Sequence, residues 1–189
     1  MTSRSTDKVQ SIGSEQSTGN VQLSHAEHVP SGKSYPLSVL AADVTDPANI
    51  GGLFRMADAL GVRHLYLAGA SVTPDNAKVR RAARATQQYV PWSYTEDPLA
   101  LVRELKGHGQ WLVALEITSG SIDLRRLAIP AQKEIVLIVG NESQGISQKL
   151  LDEAAQTAHI PMMGKNSSMN LVVASAIAVF GISQELSAC

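Results

Sequence analysis

Three polar loops contain the residues whose types and spacing could support chemistry. The loops cover residues 49–55, 140–145 and 164–170, and each follows an apolar segment of strand length. Their side chains are mainly amides and hydroxyls, with one arginine and one glutamate among them, which suits binding and orienting a polar ligand. If the apolar segments are strands of one parallel sheet, their carboxyl ends bring the three loops to one edge. We therefore expect one polar ligand site formed by all three.

The third loop leads into an almost uncharged run, residues 171–180. Small and apolar residues occupy its whole circumference, which predicts a helix buried on most sides. Free backbone N–H groups at the start of this helix can bind a ligand, or Ser168 can cap them. The same pattern also fits a capped core helix without a ligand, so the loop by itself leaves both interpretations open.

Arg55 and Glu142 are the charged residues of the first two loops. Arg55 lies near the N-terminal end of a predicted helix, where the helix dipole disfavours a cation. This placement indicates a function, although a surface arginine with a solvated head group fits the helix equally well. Glu142 is either a capping carboxylate or an anion placed against Arg55 or a cationic ligand.

A basic segment over residues 76–85 is a second candidate for ligand binding. It has no acidic residue and four cations, Lys78, Arg80, Arg81 and Arg84. Cations packed so closely repel one another unless anions lie opposite, and phosphates are anions that suit the planar fork of arginine. The alternative is a plain solvated face. Trp92 and Tyr94 follow, and we expect core packing for both rather than base stacking.

The amino-acid composition limits the domain organisation and the functions that are compatible with these motifs. The chain has 189 residues, of which 44% are hydrophobic and 17% charged, and this fits one globular domain with a tail. Residues 1–33 are polar and predict a disordered tail, and residues 34–189 predict the folded domain. The net charge of -1 means that any nucleic-acid binding depends on a local basic patch. The sequence shows no apolar signal core and no run long enough for a membrane span, which predicts a cytoplasmic protein without membrane contact.

The elements that position the loops alternate between strands and helices. Apolar strands are predicted over residues 35–42, 64–68, 111–116 and 134–139, with helices over 50–60, 98–107 and 147–155 between and after them. An extended segment over residues 89–94 adds a further strand. The pattern predicts an α/β domain with a mainly parallel sheet and helices on both faces.

Several enzyme classes are excluded by missing motifs. The sequence has no Walker pattern, no Gly-x-Gly-x-x-Gly after the first strand and no His-Glu-x-x-His. The five histidines are scattered and the one cysteine is Cys189, so we expect no metal site and no internal disulfide.

Three short motifs occur in order: Asn49-x-Gly51-x-x-x-Arg55, Ile138-Val-Gly-x-Glu142-x-x-Gly145, and Ile160-Pro-Met-x-Gly164 with Ser168-Met-Asn170. Together they resemble the motifs of SpoU (TrmH-like) RNA ribose 2'-O-methyltransferases of the SPOUT superfamily. The resemblance implies a deep C-terminal trefoil knot, a homodimer, S-adenosylmethionine held in the knot, and tRNA or rRNA as substrate. Some of these relatives carry a separate N-terminal RNA-binding domain, where we expect only a short tail in this chain.

The resemblance also implies residue roles. It assigns cofactor contacts to Gly140, Ile160 and Met169, with Leu115 or Glu116 in a neighbouring strand-end loop. The catalytic and substrate-positioning set that it implies is Asn49, Arg55, Glu142, Ser168 and Asn170. Two other functions stay open: a non-catalytic RNA-binding protein that retains the fold, and a nucleotide-dependent oxidoreductase, against which the missing glycine fingerprint counts.

Overall fold

The computed structural model describes residues 20–22, 24, 27 and 29–188, which group into a unit of residues 1–31 and a unit of residues 32–189. In the first unit, the backbone N–H and the hydroxyl of Ser24 both donate to Glu27 Oε2 at 2.6 Å. Most of the predicted tail lies outside the described residues, and its disorder stays a prediction.

The second unit is built on one seven-stranded sheet. Its strands are β1 (Tyr35–Ala42), β2 (Val62–Ala68), β3 (Trp92–Thr95), β4 (Trp111–Leu115), β5 (Ile122–Asp123), β6 (Ile135–Val139) and β7 (Gln156–His159). Its helices are α1 (Pro47–Ala59), α2 (Ala77–Ala83), α3 (Pro98–Gly107), α4 (Gln148–Glu153) and α5 (Leu171–Ala188). The strand order is β3-β2-β1-β6-β4-β7-β5, and every neighbouring pair is parallel. The predicted parallel sheet is confirmed.

Both faces of the sheet are covered by helices, as the alternation of elements predicts. In β1, Leu37, Val39 and Ala41 join one buried cluster, which also contains residues of α1, α2 and α5. Leu40 and Ala42 join the second cluster, with residues of α3 and α4. Alternate side chains of a strand point to opposite faces, so one apolar strand serves two cores.

Helices α1 and α3 both begin with a capping aspartate followed by a proline. Asp46 accepts a hydrogen bond from the Ala48 N–H at 2.8 Å and precedes Pro47 at the start of α1. Asp97 accepts hydrogen bonds from two N–H groups at the start of α3, before Pro98. An aspartate followed by proline satisfies free N–H groups and fixes the first helical φ. Helix α3 therefore starts where the sequence predicts, whereas α1 starts at Pro47, three residues before the predicted start.

Helix α5 differs from its prediction in one respect. Ser175, Ala178, Val179 and Ile182 are buried, but three large apolar side chains are exposed on another face. The exposed fractions are 49% for Val173, 42% for Ile177 and 55% for Phe180. The prediction of a helix buried on most sides is therefore wrong for the single chain. None of the described helices combines the length and the apolar character that crossing a bilayer requires.

Candidate active site

One cleft lies at the carboxyl ends of β1, β6, β4 and β7, which are neighbours in the sheet. The loops after these four strands and the start of α1 form its walls. Nine of the ten residues implied as catalytic or cofactor-binding line it: Asn49, Leu115, Glu116, Gly140, Glu142, Ile160, Ser168, Met169 and Asn170. The loops of residues 140–145 and 164–170 meet at one edge of the sheet as expected, and the loop after β4 joins them. Residues 49–55 belong to helix α1 and not to a loop, and Asn49 is the residue of this segment that reaches the cleft.

Asn49 is the centre of a hydrogen-bonded chain across the cleft. Its side chain is 8% exposed. Its Nδ2 donates to Glu142 Oε1 at 2.9 Å, and its Oδ1 accepts from Asn170 Nδ2 at 3.1 Å. Because each end of the amide has a partner, the orientation of Asn49 is fixed. Three residues that are far apart in sequence are thereby held in one row.

Asn170 also caps α5. Its Oδ1 accepts hydrogen bonds from the N–H groups of Val172 at 2.9 Å and Val173 at 3.2 Å. Capping of this helix by Ser168 is therefore wrong, because Asn170 immediately precedes the helix and its oxygen reaches both N–H groups. Ser168 is instead an exposed residue of the cleft wall.

The loop after β6 is a tight turn. Asn141 and Gly145 exchange backbone hydrogen bonds at 3.1 and 2.9 Å, and the side-chain Nδ2 of Asn141 donates to the Asp43 carbonyl at 2.8 Å. Gly145 has φ of +68°, and a Cβ at this position would overlap the carboxylate of Glu116. The turn therefore requires glycine for its backbone conformation and for space.

Glu116 ties two of these loops together. Its Oε2 accepts from the Ile146 N–H at 3.0 Å, and its Oε1 accepts from the Ile117 N–H at 2.9 Å. The carboxylate thus positions the loop after β4 against the loop after β6. These two hydrogen bonds give the Glu116 side chain a structural role that the sequence does not predict.

Arg55 is the one member of the implied catalytic set that lies outside the cleft. It is exposed and borders a separate shallow recess with Gly52, Met56, Thr86 and Val172. Within the described residues its guanidinium makes no hydrogen bond or ion pair, so Glu142 is not its partner. Glu142 instead contacts Asn49 and, at 3.4 Å, the backbone N–H of Asp46 at the start of α1.

His159 is a cleft residue that the sequence analysis weighed only as a metal ligand. Its Nδ1 lies 3.0 Å from Ser121 Oγ, and Ser121 Oγ donates to the Thr118 carbonyl at 2.8 Å. The side chain therefore links β7 to the loop after β4. His159 directly precedes Ile160, one of the implied cofactor contacts, and this position is the sequence signal that could have identified His159 as a cleft residue. Across the described part of the chain, no three His, Cys, Asp or Glu side chains are grouped to hold a metal ion.

The basic segment forms α2 and the turn after it. Arg80 Nη1 donates to the carbonyls of Pro74 and Asp75, at 2.7 Å each, so this guanidinium serves the preceding loop. Lys78, Arg81 and Arg84 are exposed and make no hydrogen bond or ion pair through their side chains with any described residue. From the sequence alone, the four cations are equivalent candidates for binding anions. In the structure, Arg80 differs from the other three because its guanidinium already binds two carbonyls.

The two aromatic residues after the basic segment differ from each other. Trp92 makes an edge-to-face contact with Phe54, with ring centroids 6.1 Å apart, as expected for core packing. Tyr94 is exposed, and its hydroxyl donates to the Gly69 carbonyl at 2.8 Å. The core prediction is therefore wrong for Tyr94, because the hydroxyl binds a carbonyl at the surface.

Comparison with known proteins identifies the family to which this chain belongs. The SpoU rRNA Methylase family matches residues 36–180, and the chain belongs to this family. A 23S rRNA (guanosine(2553)-2'-O)-methyltransferase of Bacillus subtilis is 31% identical over 161 residues, which are 84% of this chain and 63% of that protein. The chain thus spans less than two thirds of that relative.

Two further comparisons agree. A tRNA (guanosine(18)-2'-O)-methyltransferase of Aquifex aeolicus is 31% identical over 147 residues, covering 76% of this chain and 67% of that protein. The crystal structure of an AdoMet-bound rRNA methyltransferase from Sinorhizobium meliloti matches with a TM-score of 0.75 and 31% identity, over 79% of this chain and 56% of that one. The fold is therefore that of methyltransferases.

Proposed function

We propose that this chain transfers a methyl group from S-adenosylmethionine to a ribose 2'-hydroxyl of tRNA or rRNA. The row formed by Glu142, Asn49 and Asn170 in a cleft at four strand ends carries this proposal. Membership in the SpoU family supports it, and the names of similar proteins include both an rRNA and a tRNA enzyme. The choice between the two RNA classes stays open. A cytoplasmic location is part of the same proposal.

The cleft suits S-adenosylmethionine by its chemistry. Leu115, Ile117 and Ile146 supply apolar wall for an adenine ring, and the loops beside them supply backbone amides and carbonyls. The implied holding residues are Gly140, Ile160 and Met169, with Leu115 and Glu116 in the adjoining loop. When bound, the cofactor supplies a methyl group on a positively charged sulfonium, and the carboxylate of Glu142 is a favourable neighbour for that charge.

The residues of the chain position the RNA hydroxyl. Asn49 and Asn170 hold each other and Glu142 in fixed orientations, and such positioning contributes about 7 to 11 kcal/mol in favourable cases. Arg55 is a poor base because a guanidinium group keeps its proton in proteins. We assign Arg55 the binding of an RNA phosphate. This phosphate orients the 2'-hydroxyl and takes up its proton as the methyl group is transferred. Ser168 would contact the substrate from the loop before α5.

A homodimer is part of this proposal. Val173, Ile177 and Phe180 form an exposed apolar stripe on α5, and burial of such a stripe favours association. Val172, next to the stripe, also borders the recess of Arg55. A dimer through the stripe would therefore put Arg55 at the subunit interface. The C-terminal trefoil knot that the family resemblance implies belongs to the same proposal.

Titration calorimetry with S-adenosylmethionine and, separately, NADH tests the cofactor assignment. We expect the purified chain to bind S-adenosylmethionine and not NADH. Binding of NADH without binding of S-adenosylmethionine would contradict the proposal and favour an oxidoreductase. Lys149→Ala, an exposed change on α4 outside the cleft, is the matched control and should bind like the wild type.

A further inference from the structure

Tyr89 has an exposed aromatic ring on an otherwise well-anchored turn. Its side chain is 63% exposed, while Thr86 and Val90 on either side are buried. The N–H groups of Tyr89 and Val90 both donate to the Thr86 carbonyl at 3.0 Å. The ring is therefore presented to solvent by a backbone with little freedom. Single exposed aromatic residues are common, so the surroundings of Tyr89 decide what it can do.

The turn that carries Tyr89 has an unusual backbone. Arg84 and Ala85 have φ of +51° and +69°, so two consecutive residues with a Cβ adopt the left-handed conformation. This conformation is unfavourable for such residues, and it is retained where surrounding contacts enforce it. Here the Thr86 hydroxyl donates to the Ala83 carbonyl at 2.6 Å and closes the turn. The turn ends α2 abruptly and keeps the cationic Arg84 close in sequence to Tyr89.

Unpaired cations surround this turn. Arg81 and Arg84 are exposed and, among the described residues, have no side-chain partner, whereas Arg80 is bound by two carbonyls. Thr86, in the same turn, borders the recess that Arg55 also lines. The segment of residues 81–89 thus carries two guanidinium groups and an aromatic ring, and its Thr86 borders the recess of Arg55. Phosphates beside unstacked bases match this combination.

We propose that Tyr89 stacks on an unpaired base of the RNA, while Arg81 and Arg84 contact the adjoining phosphates. The proposal rests on the proposed function and deepens it, because it identifies single-stranded or looped RNA as the preferred form of the substrate. A duplex contributes phosphates to such a surface, but its bases are stacked inside the helix and offer no free face to Tyr89.

Fluorescence anisotropy with the full chain tests the proposal. The probes are a labelled single-stranded RNA and a labelled blunt-ended RNA duplex with the same total number of phosphates. Tyr89→Ala should weaken binding of the single strand by about tenfold, within the range measured for loss of one stacked base. Tyr89→Phe keeps the ring and should bind like the wild type. Affinity for the duplex should not change in either variant, because its bases offer no free face.

The salt dependence separates stacking from charge. Arg84→Ala should lower the slope of log affinity against log salt by about 0.7 for a single strand, because one phosphate contact is lost. Tyr89→Ala should leave that slope unchanged, and Lys149→Ala on α4 should change neither the affinity nor the slope. Equal loss of affinity for single strand and duplex in Tyr89→Ala would overturn the proposal, and so would wild-type affinity for both.

Two controls keep this test distinct from the proposed function. Light scattering of Tyr89→Ala should give the wild-type mass, and a lower mass would make Tyr89 a subunit contact and overturn the stacking role. Methyl transfer by the wild type is measured on the same RNA. If the wild type transfers no methyl group but Tyr89→Ala selectively loses single-strand affinity, the proposed function fails while the stacking surface stands.

Discussion

Asn170 uses one amide side chain for two purposes. Its oxygen caps α5, and its nitrogen donates to Asn49, which in turn donates to Glu142. The start of the last helix and the centre of the cleft are therefore coupled through a single residue. A substitution that keeps the oxygen but removes the nitrogen can separate the two contributions.

Asn170→Asp and Asn170→Ala should differ in stability and agree in activity. Aspartate keeps the capping oxygen but leaves the buried Asn49 Oδ1 without its donor, so we expect the free energy of unfolding to fall by about 1 kcal/mol. Alanine removes the cap as well as this donor and should lower it by about 2 kcal/mol. Both variants lose the donor to Asn49 and should lose turnover on the order of tenfold. Denaturant unfolding beside single-turnover methyl transfer measures both quantities, and wild-type turnover in Asn170→Asp would exclude the row from catalysis.

Arg55→Lys tests the role proposed for Arg55, which is the implied catalytic residue that lies outside the cleft. The side chain is exposed and has no partner among the described residues, so stability should be unchanged. Lysine cannot reproduce the planar fork that binds phosphate, and we expect turnover to fall on the order of a hundredfold, about 2.7 kcal/mol of transition-state stabilisation. Single-turnover transfer at saturating RNA measures this loss. A variant with wild-type turnover would make Arg55 a surface arginine, and an early thermal melt would make it structural.

Individual residues show why sequence patterns do not predict the hydrogen bonds of a functional site. The types and spacing of Asn49, Glu142 and Asn170 indicated a polar site, but their hydrogen bonds depend on strand neighbours that are distant in sequence. Arg80 reads as one more cation of a basic segment, yet its guanidinium binds two backbone carbonyls. Such local competition for a side chain becomes visible only in three dimensions.

At the scale of elements, apolar segments are predicted well and polar ones poorly. The predicted first strand coincides with β1, and the cap-and-proline signal places the start of α3 correctly. The sequence predicts an apolar strand before the third loop, and β7 lies there, but it contains the polar residues Gln156, Thr157 and His159. Parallel pairing with β4 and β5, rather than an apolar pattern, forms this strand. The order of the strands is also a tertiary property, because β6 lies between β1 and β4 without any signal in its own sequence.

An ion-pair cluster between α3 and α4 gives a pH-dependent prediction. Glu153 accepts from Lys106 Nζ and Arg103 Nε at 2.8 Å each, and these hydrogen bonds hold the pKa of the Glu153 carboxyl below its ordinary value of 4.5. A carboxyl with a lowered pKa in the folded state stabilises the fold above its unfolded-state pKa and loses that contribution as the pH falls through the folded-state pKa.

Glu153→Gln should therefore lower the stability at neutral pH and have a progressively smaller effect below pH 4.5. Urea unfolding of wild type and variant across this range measures the difference. Gln148→Ala on the same helix removes a hydrogen bond to Asp152 and leaves the Glu153 cluster intact, so it serves as the control. A difference between wild type and Glu153→Gln that stays constant with pH would show that the charge of the Glu153 carboxylate contributes nothing to stability.

At the scale of the whole molecule, the exposed stripe of α5 is the main feature that a single chain leaves unexplained. Substitution of both Ile177 and Phe180 with aspartate should produce a monomer, because two charges cannot be buried in an apolar contact. Lys149→Asp, at an exposed site on α4, should leave the mass unchanged. Light scattering at micromolar concentration measures both. A wild-type monomer with full methyl-transfer activity would refute the dimer.

The most direct test of ribose 2'-O-methylation is to determine which position of the RNA receives the methyl group. The chain is incubated with unmodified tRNA and rRNA and with S-adenosylmethionine labelled on its methyl group, and the RNA is then hydrolysed in alkali. A 2'-O-methyl group blocks the attack of the ribose hydroxyl on the adjacent phosphodiester, so the proposed function predicts label in alkali-resistant dinucleotides. Label in mononucleotides would indicate methylation of a base, and RNA without label would indicate a binding protein; either result would contradict ribose 2'-O-methylation by this chain.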